Sequence, residues 1–268
     1  MIKKILKKIM PPILLDILTY LFNRKYGWYG DYNCWADAQK KCSGYDSAKI
    51  LERVRTAILK VKNGEAVYER DSVLFNSIQF SWPLLASFLL ISKETNETLN
   101  VLDFGGSLGS TYFQNRNILE KVVRLSWNIV EQKKFVEVGK TDFQDNNLKF
   151  YETIDLYKKT ENPHVLLLSS VLQYIENPYE FLEYVLSLNI KYILLDRTAF
   201  HKKEYDRITV QKVNPKIYNA SYPAWFFNEK SLLDFFNKFS YDIVFSFSSI
   251  DSYNIKSSYS KGFLFEKK

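Results

Sequence analysis

Residues 101–110 read VLDFGGSLGS and combine a short apolar run with three glycines. The apolar residues at the start are typical of a buried strand. Gly105, Gly106 and Gly109 then allow the backbone to turn sharply and to approach a ligand closely. The stretch therefore predicts a strand that ends in a ligand-binding loop and is followed by a helix. A tight strand-to-helix turn without a ligand is the simpler alternative.

The acidic residue inside this stretch narrows the choice of ligand. Asp103 stands two residues before the first glycine, where its charge would repel a diphosphate held at the start of the following helix. S-adenosylmethionine (SAM) has no phosphate and carries a sulfonium, an ammonium and ribose hydroxyls, so an acid suits it. We therefore expect SAM as the cofactor, with a NAD-type dehydrogenase or epimerase as the rival. The NAD fingerprint is G-x-G-x-x-G, whereas the spacing here is G-G-x-x-G.

Composition sets the broad class of protein. With 268 residues and 46% hydrophobic content, the chain can form one large domain, or one domain with a small lobe. The formal net charge of +7 is spread along the chain without a nucleic-acid-binding motif, so we expect no nucleic-acid partner. Cys34 and Cys42 form no Cys-x-x-Cys pair, and the chain has two histidines. We therefore expect no metal site and a reducing, cytoplasmic location.

The first hundred residues are predicted to be mostly helical. Residues 2–21 place apolar side chains and lysines on opposite faces of one helix. Such a helix suits packing within the protein or against a second copy, or peripheral contact with an anionic membrane. Residues 26–35 are rich in aromatic rings and glycine, and they form either a lid over the ligand or part of a core. Further helices are expected at 36–41, 47–62 and 82–91. We predict an N-terminal lobe or lid over residues 1–98, and the oligomeric state stays open.

From residue 99 onward the pattern alternates between strands and helices. Strands are predicted at 100–104, 124–130, 148–151, 165–170 and 192–195, with a final antiparallel pair at 241–247 and 262–266. The run at 165–170 is continuously apolar, which is typical of a parallel strand buried on both faces. Glu131 follows the second strand, 22 residues after Gly109, where Rossmann-type sites hold ribose hydroxyls. The expected fold class is α/β, a class I SAM-methyltransferase Rossmann-like domain with a seven-stranded sheet over residues 99–268.

The switch point of such a sheet lies between its first and fourth strands, and ligands bind there at the carboxyl ends of the strands. Ser170, Gln173 and Tyr174 come at or just after the end of the fourth strand. We expect Ser170 and Gln173 beside the cofactor, and Gln173 and Tyr174 facing the reacting methyl group. Residues 211–225 are turn-rich and aromatic, which is typical of a loop that binds the acceptor.

Several motifs occur in order along the chain. They are IMPPILL at 9–15, YGDY at 29–32, WADA at 35–38, SGY at 43–45, VLDFGGSLG at 101–109, VEQ at 130–132, LQY at 172–174, DRT at 196–198 and ASYPAW at 220–225. With these motifs the sequence resembles a family of bacterial SAM-dependent methyltransferases that are usually encoded among surface-polysaccharide (O-antigen or capsule) biosynthesis genes. The resemblance spans nearly the whole chain.

The resemblance implies where SAM binds. The implied cofactor residues are Asp103, Gly105, Gly106, Ser107 and Gly109, with Glu131 at the ribose. We add Gln132, Ser170 and Gln173 to this set. Ser107 departs from the wider class pattern D-x-G-x-G-x-G, because it stands where that pattern has its middle glycine. The departure leaves the conformation of the loop to be determined.

Methyl transfer from a sulfonium is an in-line displacement, so the protein must align an acceptor oxygen with the departing sulfur. A sugar hydroxyl is a poor nucleophile at neutral pH, and a base would help. His201 is the first candidate for that base, followed by Asp206 and Glu204. Tyr174 and Tyr222 are the candidates for orienting the acceptor through their hydroxyls. If the acceptor oxygen is already anionic, no base is needed.

Three residues are the candidates for acceptor binding, namely Arg197, Tyr222 and Trp225. Arg197 suits an anionic group, such as that of a nucleotide sugar, a phosphorylated sugar or a phosphoramidate. The expected function is therefore O-methylation of a polar or anionic surface-polysaccharide precursor. Two alternatives stay open: a non-catalytic scaffold subunit of a glycan assembly complex, and a NAD-dependent nucleotide-sugar-modifying enzyme.

Overall fold

The computed structural model describes residues 25–44, 47–215 and 217–268. The amphipathic helix predicted at residues 2–21 lies outside these ranges. Among the described helices, none is both long and apolar enough to span a lipid bilayer.

The described chain begins with short elements around three helices. In order these are β1 (Gly27–Tyr32), α1 (Trp35–Gln39), α2 (Ser47–Lys62), β2 (Tyr68–Arg70), β3 (Val73–Phe75) and α3 (Trp82–Glu94). Strands β2 and β3 form a hairpin whose two-residue loop, Asp71 and Ser72, has positive φ at both positions, as in a type I′ turn. The helices expected at 47–62 and from residue 82 are confirmed. Pro83 lies in the first turn of α3, where its missing N–H costs nothing.

Strands and helices then alternate as the sequence predicts. The elements are β4 (Thr98–Phe104), α4 (Ser110–Leu119), β5 (Arg124–Val130), α5 (Lys133–Val138), β6 (Leu148–Tyr151), α6 (Ile154–Lys158), β7 (Val165–Ser169), α7 (Pro178–Ser187), β8 (Tyr192–His201), β9 (Arg207–Lys212), β10 (Ser221–Asn228), α8 (Glu229–Lys238), β11 (Tyr241–Ser248) and β12 (Ser258–Lys267). A π-helical turn (Gly139–Phe143) follows α5, and a 3-10 turn (Leu172–Tyr174) follows β7.

The central sheet has the order β6-β5-β4-β7-β8-β12-β11. Strands β4 to β8 pair in parallel, whereas β12 runs antiparallel to both of its neighbours, β8 and β11. The predicted α/β fold is therefore confirmed, including the final antiparallel pair, and the seven predicted strands form the central part of a ten-stranded sheet. The switch point lies between β4 and β7, because the chain goes from β4 to β5 on one side and reaches β7 on the other. A crevice for a ligand is expected at their carboxyl ends.

Three further strands extend this sheet, and the sequence did not predict them. Strand β10 pairs in parallel with the end of β8, β9 pairs antiparallel with β10, and β1 pairs antiparallel with β9. The aromatic segment 26–35, predicted to form a lid or part of a core, therefore contains β1. Likewise, residues 211–225 are only partly a loop, because β9 ends at residue 212 and β10 starts at residue 221.

Strand β8 is also longer than predicted, since it continues to His201 and does not stop at Leu195. The polar residues after Leu195 resemble a strand end in the sequence. In the structure Asp196 is 3% exposed and accepts hydrogen bonds from the hydroxyls of Ser169 and Ser249, so the polar stretch stays inside the sheet. Pairing with β12 continues along the whole length of β8.

The core lies on both faces of the central sheet, because alternate residues of a strand point to opposite faces. Val101 packs with α2 and α3 on one face, through residues such as Ile58 and Phe88. Leu102 packs with α7 and α8 on the other face, among residues such as Leu182. Each fully buried side chain of this size contributes roughly 1.5–3 kcal/mol. Helices α2 and α3 thus share a core with the sheet, and the division into 1–98 and 99–268 stays a prediction.

Candidate active site

A cavity of about 580 Å³ opens at the carboxyl ends of β4 and β7. The loop after β4, the 3-10 turn after β7, the β2–β3 hairpin and the β1–β9–β10 extension form its walls. Most of the site residues predicted from the sequence line it: Asp103, Gly105, Gly106, Ser107, Glu131, Gln132, Ser170, Gln173, Tyr174, Arg197 and Tyr222. The structure therefore brings together residues that lie up to 119 positions apart in the sequence.

The loop after β4 has the backbone that its glycines allow. Gly105 and Gly109 have φ values of +73° and +98°, and Ser107 between them has φ +55°. Ser107 therefore takes the left-handed conformation that favours glycine, at the position where the wider pattern has one. Gly106 is needed for space, since a Cβ there would lie 2.5 Å from the carboxyl carbon of Asp103. Gly109 is the N-cap residue of α4 and does not line the cavity.

Asp103 lies beneath this loop and is 1% exposed. Its carboxylate accepts a hydrogen bond of 3.0 Å from the indole N–H of Trp127. Burial raises the pKa of Asp103 to about 7, although the bond from Trp127 opposes the shift. A cation bound in the cavity would favour the ionised form, because opposite charges attract strongly away from water.

Glu131 follows β5 and lies beside the same loop. The backbone N–H of Gln132 donates to Glu131 Oε2 at 2.7 Å. Burial raises the pKa of Glu131, while hydrogen bonds from the backbones of Gln132 and Ser107 lower it. The carboxylate thus joins the loop after β4 to the end of β5, at the edge of the cavity where a ribose is expected.

The structure adds an acidic residue that the sequence reading missed. Glu69 in β2 is buried, and it accepts hydrogen bonds from the hydroxyl of Ser110 at 2.6 Å and from the N–H of Ser72 at 2.5 Å. Burial raises the pKa of Glu69 to about 7. Ser110 is the first residue of α4, so a carboxyl group contacts the start of the helix that follows the glycine loop.

Arg197 is the centre of an ion-pair cluster. Its Nε donates to Asp251 at 2.8 Å, and one terminal nitrogen donates to Asp71 at 2.8 Å and to Asp251 at 3.2 Å. Burial lowers the pKa of the Arg197 guanidinium, but the two carboxylates outweigh it and raise the pKa further above its usual range. The charge of Arg197 is thus matched within the protein by two carboxylates, and its role in binding an anionic acceptor stays a prediction.

The backbone of Arg197 ties two more segments to this cluster. Arg197 has φ +52°, its N–H donates to the hydroxyl of Ser249, and its carbonyl accepts from the side-chain amide of Gln173. One residue of β8 thus connects the β2–β3 hairpin, the turn after β7 and the segment after β11. Left-handed backbone at a residue other than glycine is uncommon and is often found at functional sites.

The far wall of the cavity is aromatic. Tyr174 donates its hydroxyl hydrogen to Gln211 Oε1 at 2.8 Å, and its ring meets the ring of Tyr222 edge to face at 5.3 Å. Trp28 meets Tyr253 edge to face at 4.8 Å. Burial raises the pKa of Tyr174 well above its usual range, so its phenol keeps the proton. We call the six side chains of this region the acceptor wall: Trp28, Trp35, Tyr174, Gln211, Tyr222 and Tyr253.

Two of the predicted bases lie away from the cavity. His201 is the last residue of β8, five positions beyond Asp196, and its Nδ1 accepts from the backbone N–H of Lys203 at 3.2 Å. Asp206 accepts from the hydroxyl of Tyr179 and from the backbone of Asn228. Strand β8 continues past residue 195 to His201, and Asp206 follows the end of this longer strand. Neither residue lines the cavity.

Two other predicted residues also lie outside the cavity lining. Trp225 donates its indole N–H to the carbonyl of Ile175 and stacks on Trp35 with ring centroids 6.0 Å apart. It therefore supports Trp35, which does line the cavity. Glu204 is exposed, and it too is absent from the lining. Within the described ranges, no three His, Cys, Asp or Glu side chains are grouped so that they could hold a metal ion.

Comparisons with known proteins show similarity in structure. No protein-family model matches the sequence, and no curated protein matches it. Magnesium protoporphyrin IX methyltransferase (ChlM) from Synechocystis PCC 6803, crystallised with SAM, has 13% sequence identity and a TM-score of 0.46, with 84% of this chain and 99% of that chain covered. The N-terminal domain of EvdMO1, crystallised with S-adenosylhomocysteine and D-fucose, has 12% identity and a TM-score of 0.48, with 84% and 98% covered.

A third similar structure is the 1,6-didemethyltoxoflavin-N1-methyltransferase of Burkholderia thailandensis. It has 11% sequence identity and a TM-score of 0.42, with 84% of this chain and 92% of that chain covered. At such low identity the likeness is one of fold. The strand order β6-β5-β4-β7-β8-β12-β11, with β4 to β8 in parallel, is that of an α/β sheet.

Proposed function

We propose that this protein is a SAM-dependent methyltransferase. The observation that carries the proposal is the acidic glycine loop at the switch point of the sheet, which lines a cavity large enough for a nucleoside and a second small molecule. Asp103 and Gly106 pack against each other there, so loop and acid form one unit. In the proposal this unit holds the methionine part of the cofactor, and Glu131 holds the ribose hydroxyls. Gln132, Ser170 and Gln173 complete the cofactor site.

The distribution of charge supports SAM over a dinucleotide. Rossmann-type dinucleotide sites hold the diphosphate at the start of the helix after the glycine loop. In this protein Glu69 is hydrogen-bonded to Ser110 at that helix start, and Asp103 lies under the preceding loop. Two carboxyl groups would oppose a diphosphate, whereas they suit a cofactor with a sulfonium and an ammonium group.

The chemistry that the cavity would support is in-line methyl transfer. SAM supplies the methyl group when it is bound. Gln173 lines the cavity together with Tyr174 and Tyr222 of the acceptor wall, so these side chains would position the acceptor oxygen. The carboxylates of Asp71 and Asp251 line the cavity and would receive the proton of an acceptor hydroxyl. His201 has no part in this mechanism.

The finer part of the proposal concerns the acceptor and the place of the reaction. We propose O-methylation of a polar surface-polysaccharide precursor in the cytoplasm, with residues 2–21 in peripheral contact with the inner face of the membrane. This proposal is supported by the family resemblance of the motifs between residues 9 and 225. It is also supported by the lysines that alternate with apolar residues in 2–21.

A thermal-shift panel tests the choice of cofactor. A ligand present at 100 times its Kd stabilises the folded state by about 2.7 kcal/mol, which corresponds to a rise in Tm of roughly 5–10 °C for a chain of this size. We expect such a rise with SAM and with S-adenosylhomocysteine, and none with NAD or NADP. A rise with NAD and none with S-adenosylhomocysteine would contradict the proposal.

A further inference from the structure

We propose that the part of the acceptor that enters the cavity is an uncharged ring carrying hydroxyl groups, and that Asp71 and Asp251 exclude phosphorylated acceptors. This inference rests on the proposed function and narrows its acceptor. It reverses the role that the sequence suggested for Arg197. Asp71 and Asp251 become specificity-determining residues, because they decide whether a guanidinium is available to an anion.

The positive charges in the cavity already contact other side chains of the protein. Among the described residues that line the cavity, the basic ones are Arg70 and Arg197. Arg197 is bonded to two carboxylates, and its side chain is 16% exposed. Arg70 donates to Gln79 Oε1 at 3.3 Å, and its guanidinium lies over the ring of Phe75 at 5.3 Å. The charge of Arg197 is therefore matched by two carboxylates, and the guanidinium of Arg70 is held against Phe75 and Gln79, so a phosphate would compete with these contacts.

The second argument is the balance of charge over the whole cavity. Four carboxyl groups line it, those of Asp71, Asp103, Glu131 and Asp251, against the two arginines. SAM brings one net positive charge, from a sulfonium and an ammonium against one carboxylate. Since the cofactor does not reverse the negative balance, a phosphate on the entering ring would meet repulsion in a partly dehydrated site.

The third argument is the chemistry of the acceptor wall. Aromatic faces pack against the apolar faces of rings, and phenol and amide groups exchange hydrogen bonds with hydroxyls. Gln211 uses its side-chain oxygen to accept from Tyr174, which leaves its N–H groups for a ligand. Gln173 is 2% exposed, lines the cavity, and has a side-chain oxygen with no hydrogen-bond partner among the described residues.

The unpartnered side-chain oxygen of Gln173 points to the chemistry of the ligand. A buried polar atom without a partner is costly, and a ligand that supplies one removes that cost. A hydroxyl group can donate to the Gln173 oxygen, whereas a phosphate dianion can only accept. The unpartnered oxygen of Gln173 therefore favours a hydroxyl.

Calorimetry with matched pairs of ligands tests the inference. The full chain is saturated with S-adenosylhomocysteine and titrated with methyl glycosides of common hexoses and 6-deoxyhexoses, and with the 1-phosphates of the same sugars, up to 50 mM. We expect at least one neutral glycoside to bind, and its phosphate to bind at least tenfold more weakly. In the Asp71→Asn/Asp251→Asn variant we expect the preference to shift toward the phosphate by at least tenfold, because Arg197 then loses both carboxylates to which it is hydrogen-bonded.

The control variant is Asp234→Asn, because Asp234 forms an exposed ion pair with Lys230 on α8, outside the cavity lining. It should leave both affinities unchanged. Equal or tighter binding of the phosphates to the unmodified protein would overturn the inference, as would binding of no sugar at all while S-adenosylhomocysteine binds. Failure of S-adenosylhomocysteine to bind is a different result, since it removes the proposed function itself.

Discussion

Replacement of Arg197 by methionine is expected to lower the free energy of unfolding by about 1–3 kcal/mol and to abolish methyl transfer. The substitution removes the guanidinium that two carboxylates contact. Asp71 and Asp251 each keep a negative charge but lose the guanidinium that they contact at 2.8 Å. Asp196, buried beside them, has its pKa raised by burial and lowered by Arg197, so it too loses a compensating charge.

Urea unfolding followed by tryptophan fluorescence measures this effect. The matched control is Arg124→Met, because Arg124 is an exposed arginine whose terminal nitrogen donates to the hydroxyl of Thr98. It should change stability by less than about 0.5 kcal/mol, as is usual for surface substitutions. A loss below 1 kcal/mol in the Arg197→Met variant would contradict the role given to the ion-pair cluster.

The stability lost in the Arg197→Met variant should be partly restored when the carboxylate charges are also removed. If unpaired carboxylates cause the loss, then removal of their charges in the Arg197→Met background should restore stability. We expect the triple variant Arg197→Met/Asp71→Asn/Asp251→Asn to be more stable than Arg197→Met alone. This comparison also separates charge from shape, since the methionine side chain is present in both variants. If the triple variant were the less stable one, the loss would come from packing.

The second large effect is expected for Gly106→Ala, which should weaken binding of S-adenosylhomocysteine by at least 100-fold. Gly106 does not have a positive φ, so its backbone conformation is open to alanine. The obstacle is the new Cβ, which would lie 2.5 Å from both the carboxyl carbon and Oδ2 of Asp103. Asp103 is held from below by Trp127, so the loop itself has to move away from its binding conformation.

Isothermal titration calorimetry with S-adenosylhomocysteine measures this loss. Gly64→Ala is the matched control, because a Cβ at Gly64 meets open space and the residue lies outside the cavity lining. Its φ of +76° predicts a cost in stability of about 1 kcal/mol, with cofactor affinity unchanged. Binding within threefold of the unmodified protein in Gly106→Ala would show that the loop is not part of the cofactor site.

The parallel strands were predictable from the sequence. Strands β5 and β6 have the predicted boundaries, and β4 and β7 differ by one or two residues. The apolar run of β7 is typical of a strand buried on both faces, and Gly105 and Glu131 mark the ends of β4 and β5, so sequence pattern and structure coincide there. The same reasoning placed Asp103 and Glu131 at the carboxyl ends of neighbouring strands. The cofactor half of the site follows from this local pattern.

The acceptor half could not be predicted in the same way. The hairpin of β2 and β3 has strands of three residues and a turn without glycine, so it has neither a clear period nor the usual turn signal. The pairing of Asp71 with Arg197 joins residues 126 positions apart, and no local pattern encodes it. The sequence pattern predicts His201 just after a strand that ends at residue 195. In the structure β8 continues to His201, which lies outside the cavity lining.

Determination of the structure with S-adenosylhomocysteine bound tests the central claim most directly. The account predicts the ribose hydroxyls within hydrogen-bond distance of Glu131, the homocysteine part over residues 105–107, and the sulfur facing Gln173 and the acceptor wall. An empty cavity at a saturating concentration of S-adenosylhomocysteine, or the molecule bound elsewhere on the protein, would contradict it.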